Sequence, residues 1–524
     1  MKTTERITEG MHRFAEQNGI YPDGGIIVLP GGEVSISECA DDLFKRIAPS
    51  ETLFVRGGQI AELCKQDNGD LALDILRPTA FRSRLESFGS VYAWRVGREG
   101  KRVLKPTVCP EDIANALMAT SEARQHLPSV ATVIKSPVLF DGEKGLSVLG
   151  QGYHRENGGI FVTGEKSPLE ISLTEAIQLL NGLLDEFDFQ SKADHSRALA
   201  QLITPGLKMG GFLKGFVPVD VAEADQSQSG KTYRQRVTCA VYNERASVIA
   251  RREGGVGSVD ESFSQALVSG LPFIQLDNFR GKLDSQCVES FLTAEGSFPA
   301  RVPHRGEIQV DPSRFYLQLS SNGVESTRDL ANRSCIIRIQ KRSHFAFRTY
   351  PEGDLLTHVR VQQPLYLGAV HTVIRRWVAD GRQKTATTEH DFREWSQILD
   401  WIVQTYFDAA PLLEGHSRAQ ERVSNPALTF LRQLALAVKG AKRLGEELSA
   451  SAIVDICEDA GIYVPGAKSS EPGDVSRHVG VVLKRAFADG SELAMEGVTV
   501  TRSEHEQTRP TGGPYSAKTY RFDQ

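Results

Sequence analysis

The turn Ser229-Gly230-Lys231-Thr232 lies between a strand-like run, Phe216 to Ala222, and a helical pattern. About forty-five residues later the apolar run Phe273-Ile274-Gln275-Leu276 ends in Asp277. No other feature constrains the chain as tightly. A strand, a loop closing in Gly-Lys-Thr and a helix aim backbone N–H groups and a helix N-terminus at phosphate, while Lys231 reaches the terminal phosphate and Thr232 offers a hydroxyl to Mg2+. An aspartate ending a hydrophobic strand then holds the metal's water shell. The expectation is a nucleoside-triphosphate site made by Gln228, Ser229, Gly230, Lys231 and Thr232, with Thr232 and Asp277 on the metal. The loop departs from a full glycine-rich pattern, with Asp225 at its start and Gln228 where a further glycine is common.

The order of the later residues strengthens this expectation. After Asp277-Asn278 come a helix-like stretch (Leu283 to Leu292), a basic segment (Arg301-Val302-Pro303-His304-Arg305-Gly306) and a strand-like run (Phe315 to Leu319) ending in Ser320-Ser321-Asn322-Gly323. Arg328-Asp329-Leu330-Ala331-Asn332-Arg333 then precedes another strand, Cys335 to Ile339. An Asn at the end of a strand beside the aspartate strand orients an attacking water, and an Arg at a subunit edge reaches a neighbour's γ-phosphate.

This arrangement resembles the AAA+ ATPase core of helicase-like proteins carried by phages, prophages and integrative elements, related in layout to superfamily 3 and poxvirus-type primase-helicases. The residues that carry the likeness are Ala193-Asp194 through Leu202-Ile203-Thr204-Pro205, Gly230-Lys231-Thr232, Leu276-Asp277-Asn278, Ser321-Asn322-Gly323, Asp329 to Arg333 and Phe392-Arg393-Glu394-Trp395. About two thirds of the chain is covered. The resemblance implies ATP and Mg2+ as ligands, Lys231 and Thr232 on phosphate and metal, Asp277 on Mg2+, Asn322 as the sensor and Arg333 as the finger. It also implies a ring, a hexamer, because a finger acts only across a subunit interface. Many AAA+ ATPases have a catalytic Glu after the aspartate, where this chain has Asn278. An amide cannot accept water's proton, so the base must be another carboxylate, Glu261 or Glu223, or turnover is slow.

At 524 residues the chain exceeds the size of one core. The fold class expected is α/β multidomain: a strand-rich N-terminal domain (1–165), an AAA+ P-loop core (166–345), a helical lid (346–424) and a C-terminal winged helix (425–524). Helices are expected over Leu173 to Phe187 and Asp194 to Thr204, the second capped by Asp194 and ended by Pro205. Another is expected from Pro110 to His126, and an amphipathic one follows Met1 to Arg6. Gly254, Gly255 and Gly257 lack a following Lys and read as a surface loop; Arg375 and Arg376 read as a solvated helix face. Seven cysteines without a CxxC pair read as reduced thiols, with no zinc site to propose. With no apolar h-region and no run of membrane-spanning length, a soluble cytoplasmic protein is expected.

With 61 basic against 66 acidic residues, DNA contact must be local rather than a general basic coat. Two places qualify. His304 and Arg305, between Pro303 and Gly306, fit the tip of a pore hairpin that grips single-stranded DNA. Arg477, Lys484 and Arg485 on a third C-terminal helix, with His478 beside them, and Arg502, Arg509 and Lys518 on or beside a wing, fit duplex phosphates, although Glu504 and Glu506 on the wing favour a protein partner. The function expected is a ring ATPase that translocates on or unwinds DNA in replication of a mobile element. Two alternatives stay open: an ATP-regulated scaffold or anti-phage sensor that does not unwind DNA, and an origin-binding initiator that recruits a separate helicase.

Overall fold

The structure is a computed structural model that describes the chain except residues 1–24, 32–33, 68, 97–99, 101, 225–228, 251–257, 284, 303–305, 342–347, 425, 468–471, 488–491, 496–497, 509–513 and 524. Side chains at 250, 278–283, 322–325, 426, 429, 472, 494–495, 506–508 and 514–517 also lie outside the description. The expected amphipathic N-terminal helix and the Gly254 to Gly257 loop therefore fall outside the described residues.

The centre is a sheet of five parallel strands fed by helices. In chain order the elements are α1 (Lys192–Met209), β1 (Val219–Glu223), α2 (Lys231–Val241), β2 (Ser247–Ala250), α3 (Val259–Ser269), β3 (Phe273–Leu283), the hairpin β4 (Phe298–Val302) and β5 (Gly306–Val310), β6 (Tyr316–Ser326), α4 (Arg328–Asn332) and β7 (Ser334–Gln340). The strands lie in the order β7-β1-β6-β3-β2, and the short strand Asp188–Phe189 pairs antiparallel with β7 at the edge. Helices on both faces bury the sheet, which is why its strands read as apolar runs.

Helix α1 differs from the expectation at both ends. Its N-cap is Ser191, whose hydroxyl accepts the Asp194 N–H (3.1 Å), and Asp194 sits inside the first turn. Pro205 does not end the helix, which continues to Met209. The proline removes the N–H that would bond the Gln201 carbonyl, and the Tyr316 hydroxyl stands 3.2 Å from that carbonyl and 2.9 Å from Gln201 Oε1. One residue on, the Tyr242 hydroxyl donates to the Leu202 carbonyl (2.8 Å) and accepts the Gly206 N–H (3.0 Å), filling the gap in the ladder. The first helix of this region, Leu173–Gly182, is shorter than expected.

The N-terminal part includes the strands Ile26–Val28, Leu53–Arg56 and Ser90–Val96. The 110–126 helix is instead two, Glu111–Met118 and Ser121–His126, because Thr120 turns its hydroxyl to the Ala123 N–H and caps the second. Position 165 does not separate two cores: Phe54, Ala61, Leu73 and Val133 pack in one cluster with Val221, Leu276 and Leu317 of the central sheet. Arg56, fully buried, crosses the same line and donates to the carbonyls of Leu267, Val268 and Ala131. Gly57, at φ +54°, lies against the hairpin so closely that a Cβ there would come within 2.5 Å of the Gln309 carbonyl oxygen.

The 346–424 region also shares a core with the sheet, through α5 (Gln363–Ala379), α6 (Arg393–Phe407) and α7 (His416–Ser424). Arg376, on α5, is exposed and pairs with Asp380 at 3.0 Å, as a solvated face would. The C-terminal unit has its own core. It contains α8 (Pro426–Gly440), β8 (Glu447–Ser449), α9 (Ala450–Asp459), α10 (Pro472–Ala486), β9 (Glu492–Met495), β10 (Val498–Thr508) and β11 (Pro514–Asp523), with strand order β8-β11-β10-β9. Three helices and the antiparallel pair β10–β11 are present, with β8 and β9 beside them.

The buried polar groups make this packing testable. Tyr242→Phe leaves the Gly206 N–H without its acceptor and costs about 1–3 kcal/mol in denaturant unfolding; an unchanged midpoint would refute the bridge. Burial holds His371 down at about 3, and His416 and His390 also below the ordinary imidazole value. Unfolded imidazoles protonate near 6.5, so below that pH the unfolded chain binds more protons and stability falls with acidification. Glu244, pushed up to about 8 by burial, acts in the opposite sense over this window, one carboxyl against three imidazoles. Tm therefore drops between pH 7 and 5, and His371→Leu shallows the drop; a flat profile would contradict these burials.

Candidate nucleotide site

The connections set the place of the site. The chain leaves β1 toward β2 on one side and leaves β6 for β7 on the other, so successive connections part beside the C-terminal end of β1. Crevices at such points are where open parallel sheets bind ligands. Gly230 is the N-cap of α2 at φ +90°, ψ 0°, a left-handed conformation that favours glycine. It turns the chain so that α2 starts at Lys231, which is buried to 8% exposure, and Thr232 follows in the first turn.

Thr232 meets Asp277 here. The Thr232 hydroxyl is 3.3 Å from Asp277 Oδ1, and the Ser320 hydroxyl from β6 donates to the same oxygen at 2.5 Å. With two hydroxyls on Oδ1, Oδ2 is the oxygen left to face a metal or its water. Ser229 Oγ is buried without a partner among the described residues, an orphaned polar atom at the mouth of the helix. One carboxylate, hydroxyls and a helix N-terminus fit Mg2+ completed by phosphate oxygens and water. No group of three His, Cys, Asp or Glu side chains that could hold a metal ion occurs among the described residues.

A polar layer lies one step deeper. Asp220, Gln318 and Gln275 are register partners across β1, β6 and β3, and they face α2. Arg234 donates to Asp220 Oδ1 at 2.5 Å with both side chains fully buried, and the Tyr316 hydroxyl is 3.2 Å from Oδ2. Gln235 donates to the Asp220 and Leu319 carbonyls (2.8 and 3.1 Å) and accepts from Gln275 (2.9 Å). Sequence reading missed this layer and Ser320. The signal was present as single polar residues at matched places in three apolar strands, Val219-Asp220-Val221, Ile274-Gln275-Leu276 and Leu317-Gln318-Leu319, an alternation that normally marks a solvated face.

The other expected residues are distributed as follows. Gln228 lies outside the described residues. Asn278 and Asn322 fall in β3 and β6, with their side chains outside the description. Arg333 caps α4 and is held within its own chain, 2.9 Å from Asp329 Oδ2 and 3.2 Å from the Glu289 carbonyl. Glu261 is exposed in the first turn of α3, its N–H bonded to Ser258 Oγ (3.1 Å). Glu223 ends β1 and is buried; both its oxygens accept from Arg422, and Arg338 Nε is 3.9 Å away. Neither carboxylate touches Asp277 or Thr232 among the described contacts.

The expected hairpin exists as β4 and β5, closed between Val302 and Gly306, while His304 and Arg305 lie outside the described residues. On α10, Arg477, Lys484 and Arg485 are exposed and have no partner among the described residues, whereas Val479, Val482 and Leu483 turn into the core. The wing differs. Arg502 is paired with Glu504, which Lys518 also approaches at 3.6 Å, and Arg509 lies outside the description.

Neither a protein-family profile nor a curated protein sequence matches the chain. Among the solved structures similar to it are the following two. One, titled as an active helicase, SCCmec type IV Cch, has a TM-score of 0.30 at 10% identity, over 89% of this chain and 97% of that one. The other, the A-form apo structure of the NrS-1 C-terminal region, has a TM-score of 0.27 at 10% identity, over 85% of this chain and 99% of that one. The function of this chain is therefore read from its own side chains.

The double hydroxyl contact gives a test. Ser320→Ala leaves Oδ1 with the longer Thr232 contact alone and is expected to raise the Mg2+ concentration needed for half-maximal nucleotide turnover about tenfold, near the usual loss for a metal ligand's supporting hydrogen bond; Ser320→Thr keeps the hydroxyl and restores the requirement. An unchanged Mg2+ profile in the Ala variant would show that Ser320 does not position Asp277. Asp220→Asn, which leaves Arg234 buried without its counter-charge, destabilises by about 3 kcal/mol or more in denaturant titration.

Proposed function

We propose that this chain is an AAA+-type ATPase that assembles into a ring and uses ATP and Mg2+ to move along or unwind DNA. The observation that carries the reading is the meeting of Thr232, from a Gly-Lys-Thr helix start, with Asp277 on β3, level with the last residue of β2 in a parallel sheet ordered β7-β1-β6-β3-β2. In this reading Gly230 and the start of α2 cradle phosphate and Lys231 neutralises the terminal phosphate. Thr232 and Asp277 hold Mg2+, which offsets charge on the transferring phosphoryl group. Asn322, on the strand between β1 and β3, orients the water, and Arg333 serves the adjoining subunit's site. The β4–β5 hairpin meets single-stranded DNA in the ring's channel, and the exposed cations of α10 meet duplex phosphates. Replication of a phage or mobile element is the setting that the sequence resemblance supplies.

One observation favours a second reading, a nucleotide-gated scaffold or defence ATPase with slow turnover. Glu223 is neutralised by Arg422 and Glu261 is turned to solvent, so neither carboxylate is placed to take a proton from water.

The deciding measurement is ATP hydrolysis with and without single-stranded DNA, with mass in solution recorded for the wild type, Lys231→Ala and Arg333→Ala. The motor reading expects DNA-stimulated turnover that both variants lose, with Arg333→Ala still oligomeric and binding nucleotide. An intact oligomer that binds ATP without turnover sinks the motor and supports the scaffold. Removing Arg477, Lys484 and Arg485 together lowers the salt slope of duplex binding by about three, one for each phosphate no longer neutralised; an unchanged slope removes α10 from the DNA surface.

A further inference from the structure

Helix α7 is short, yet three of its side chains reach three separate parts of the nucleotide region. Arg422 grips Glu223, the last residue of β1 before the phosphate loop, through both guanidinium nitrogens. Gln420 donates to the carbonyls of Ala331 (3.1 Å) and Asn332 (3.3 Å), the turn that presents Arg333. His416, kept neutral by burial, accepts the Ile336 N–H of β7 at 3.1 Å. Val423 is buried with Leu330, Ala331 and Ile336, and Ala419 packs against that cluster, so the helix rests against α4 and β7. At its other end α7 runs into α8, the first helix of the C-terminal unit, and Glu421 stands 3.4 Å from Arg432 on α8.

We propose that α7 passes the occupancy of the nucleotide site to the C-terminal unit, with Arg422 and Gln420 as the contacts through which it follows the site rather than as groups that hold the nucleotide. The proposal rests on the reading of the Gly230–Thr232 loop as a nucleotide site. Arg422 acts through Glu223: any change in the phosphate loop displaces the strand end that the guanidinium holds at two points. Gln420 acts through the Arg333 turn, which in a ring lies against the neighbouring site. One helix thus touches the strand end that precedes its own phosphate loop and the turn offered to the next subunit, and the chain continues from it into α8. The fork geometry of Arg422 matters, because a bidentate pair fixes direction as well as distance. A lysine at the same place keeps the charge beside buried Glu223 but cannot make the second, parallel hydrogen bond.

The test is hydrogen exchange of residues 416–424 in the full-length protein with and without Mg-ATPγS, with nucleotide binding titrated on the same samples. The wild type is expected to slow exchange in this segment about threefold or more on binding, since local opening of the segment then costs more. Arg422→Lys and Gln420→Ala are expected to bind nucleotide with little change in affinity and to lose most of that slowing, each with Tm close to the wild type. A merely structural role would lower Tm and leave the nucleotide-dependent difference in place. Nucleotide bound with no change at 416–424 in the wild type, or with the change intact in both variants, overturns the proposal. Absence of binding in the wild type overturns the nucleotide reading itself, and the binding titration separates that failure from the first.

Discussion

Arg234 and Asp220 meet inside the interface between α2 and the sheet, where both are shut off from water. Such a pair is costly to bury and costly to break, so it tolerates few alternative arrangements of the helix on the strands. Tyr316, Gln201, Gln235, Gln275 and Gln318 surround it with hydrogen bonds. That network fixes the position of α2 along β1. Lys231 and Thr232 are the first two residues of the same helix, and Asp277 is two residues beyond Gln275 on the same face of β3. The distance between the Thr232 hydroxyl and the Asp277 carboxylate is therefore set by buried polar contacts one layer below it. Apolar packing alone would fill the same space while permitting the helix to slide.

The part of the candidate site that was legible in the sequence is the pairing of a Gly-Lys-Thr helix start with an aspartate after an apolar run. Gly230, Lys231 and Thr232 open α2 as that pattern expects, whereas β3 does not end at Asp277 but continues to Leu283. The polar layer was not legible, because a single Asp or Gln between apolar neighbours has the pattern of a half-exposed strand. Only the packing of α2 turns that face inward. Pro205 misled for a related reason. Proline ends a helix when nothing replaces the lost bond, and here two tyrosine hydroxyls, from Tyr242 and Tyr316, arrive from distant points in the chain. The same limit hid the shared core around Phe54 and Arg56, since a sequence shows which residues are apolar but not which surfaces they meet.

The carboxylates show how position decides chemistry. While only spacing is known, Glu261 is the nearer candidate and Glu223 stays open beside it. In the fold Glu223 is clasped by guanidinium and Glu261 stands in the first turn of a helix, in solvent. A carboxylate clasped by arginine has its lone pairs engaged, so it plays a structural part in this arrangement. Asp277, by contrast, has one oxygen engaged by hydroxyls and one left over, a division of labour that suits a metal ligand.

Gly57 gives the β4–β5 hairpin a root. Its backbone lies against Gln309 with no space for a side chain, and Arg56 beside it is tied to the end of α3. The hairpin is thus seated between the N-terminal strands and the central sheet rather than carried on a free loop. A pull on its tip would be borne as load by two layers at once, which makes the hairpin a stiff lever whose fulcrum is a single glycine.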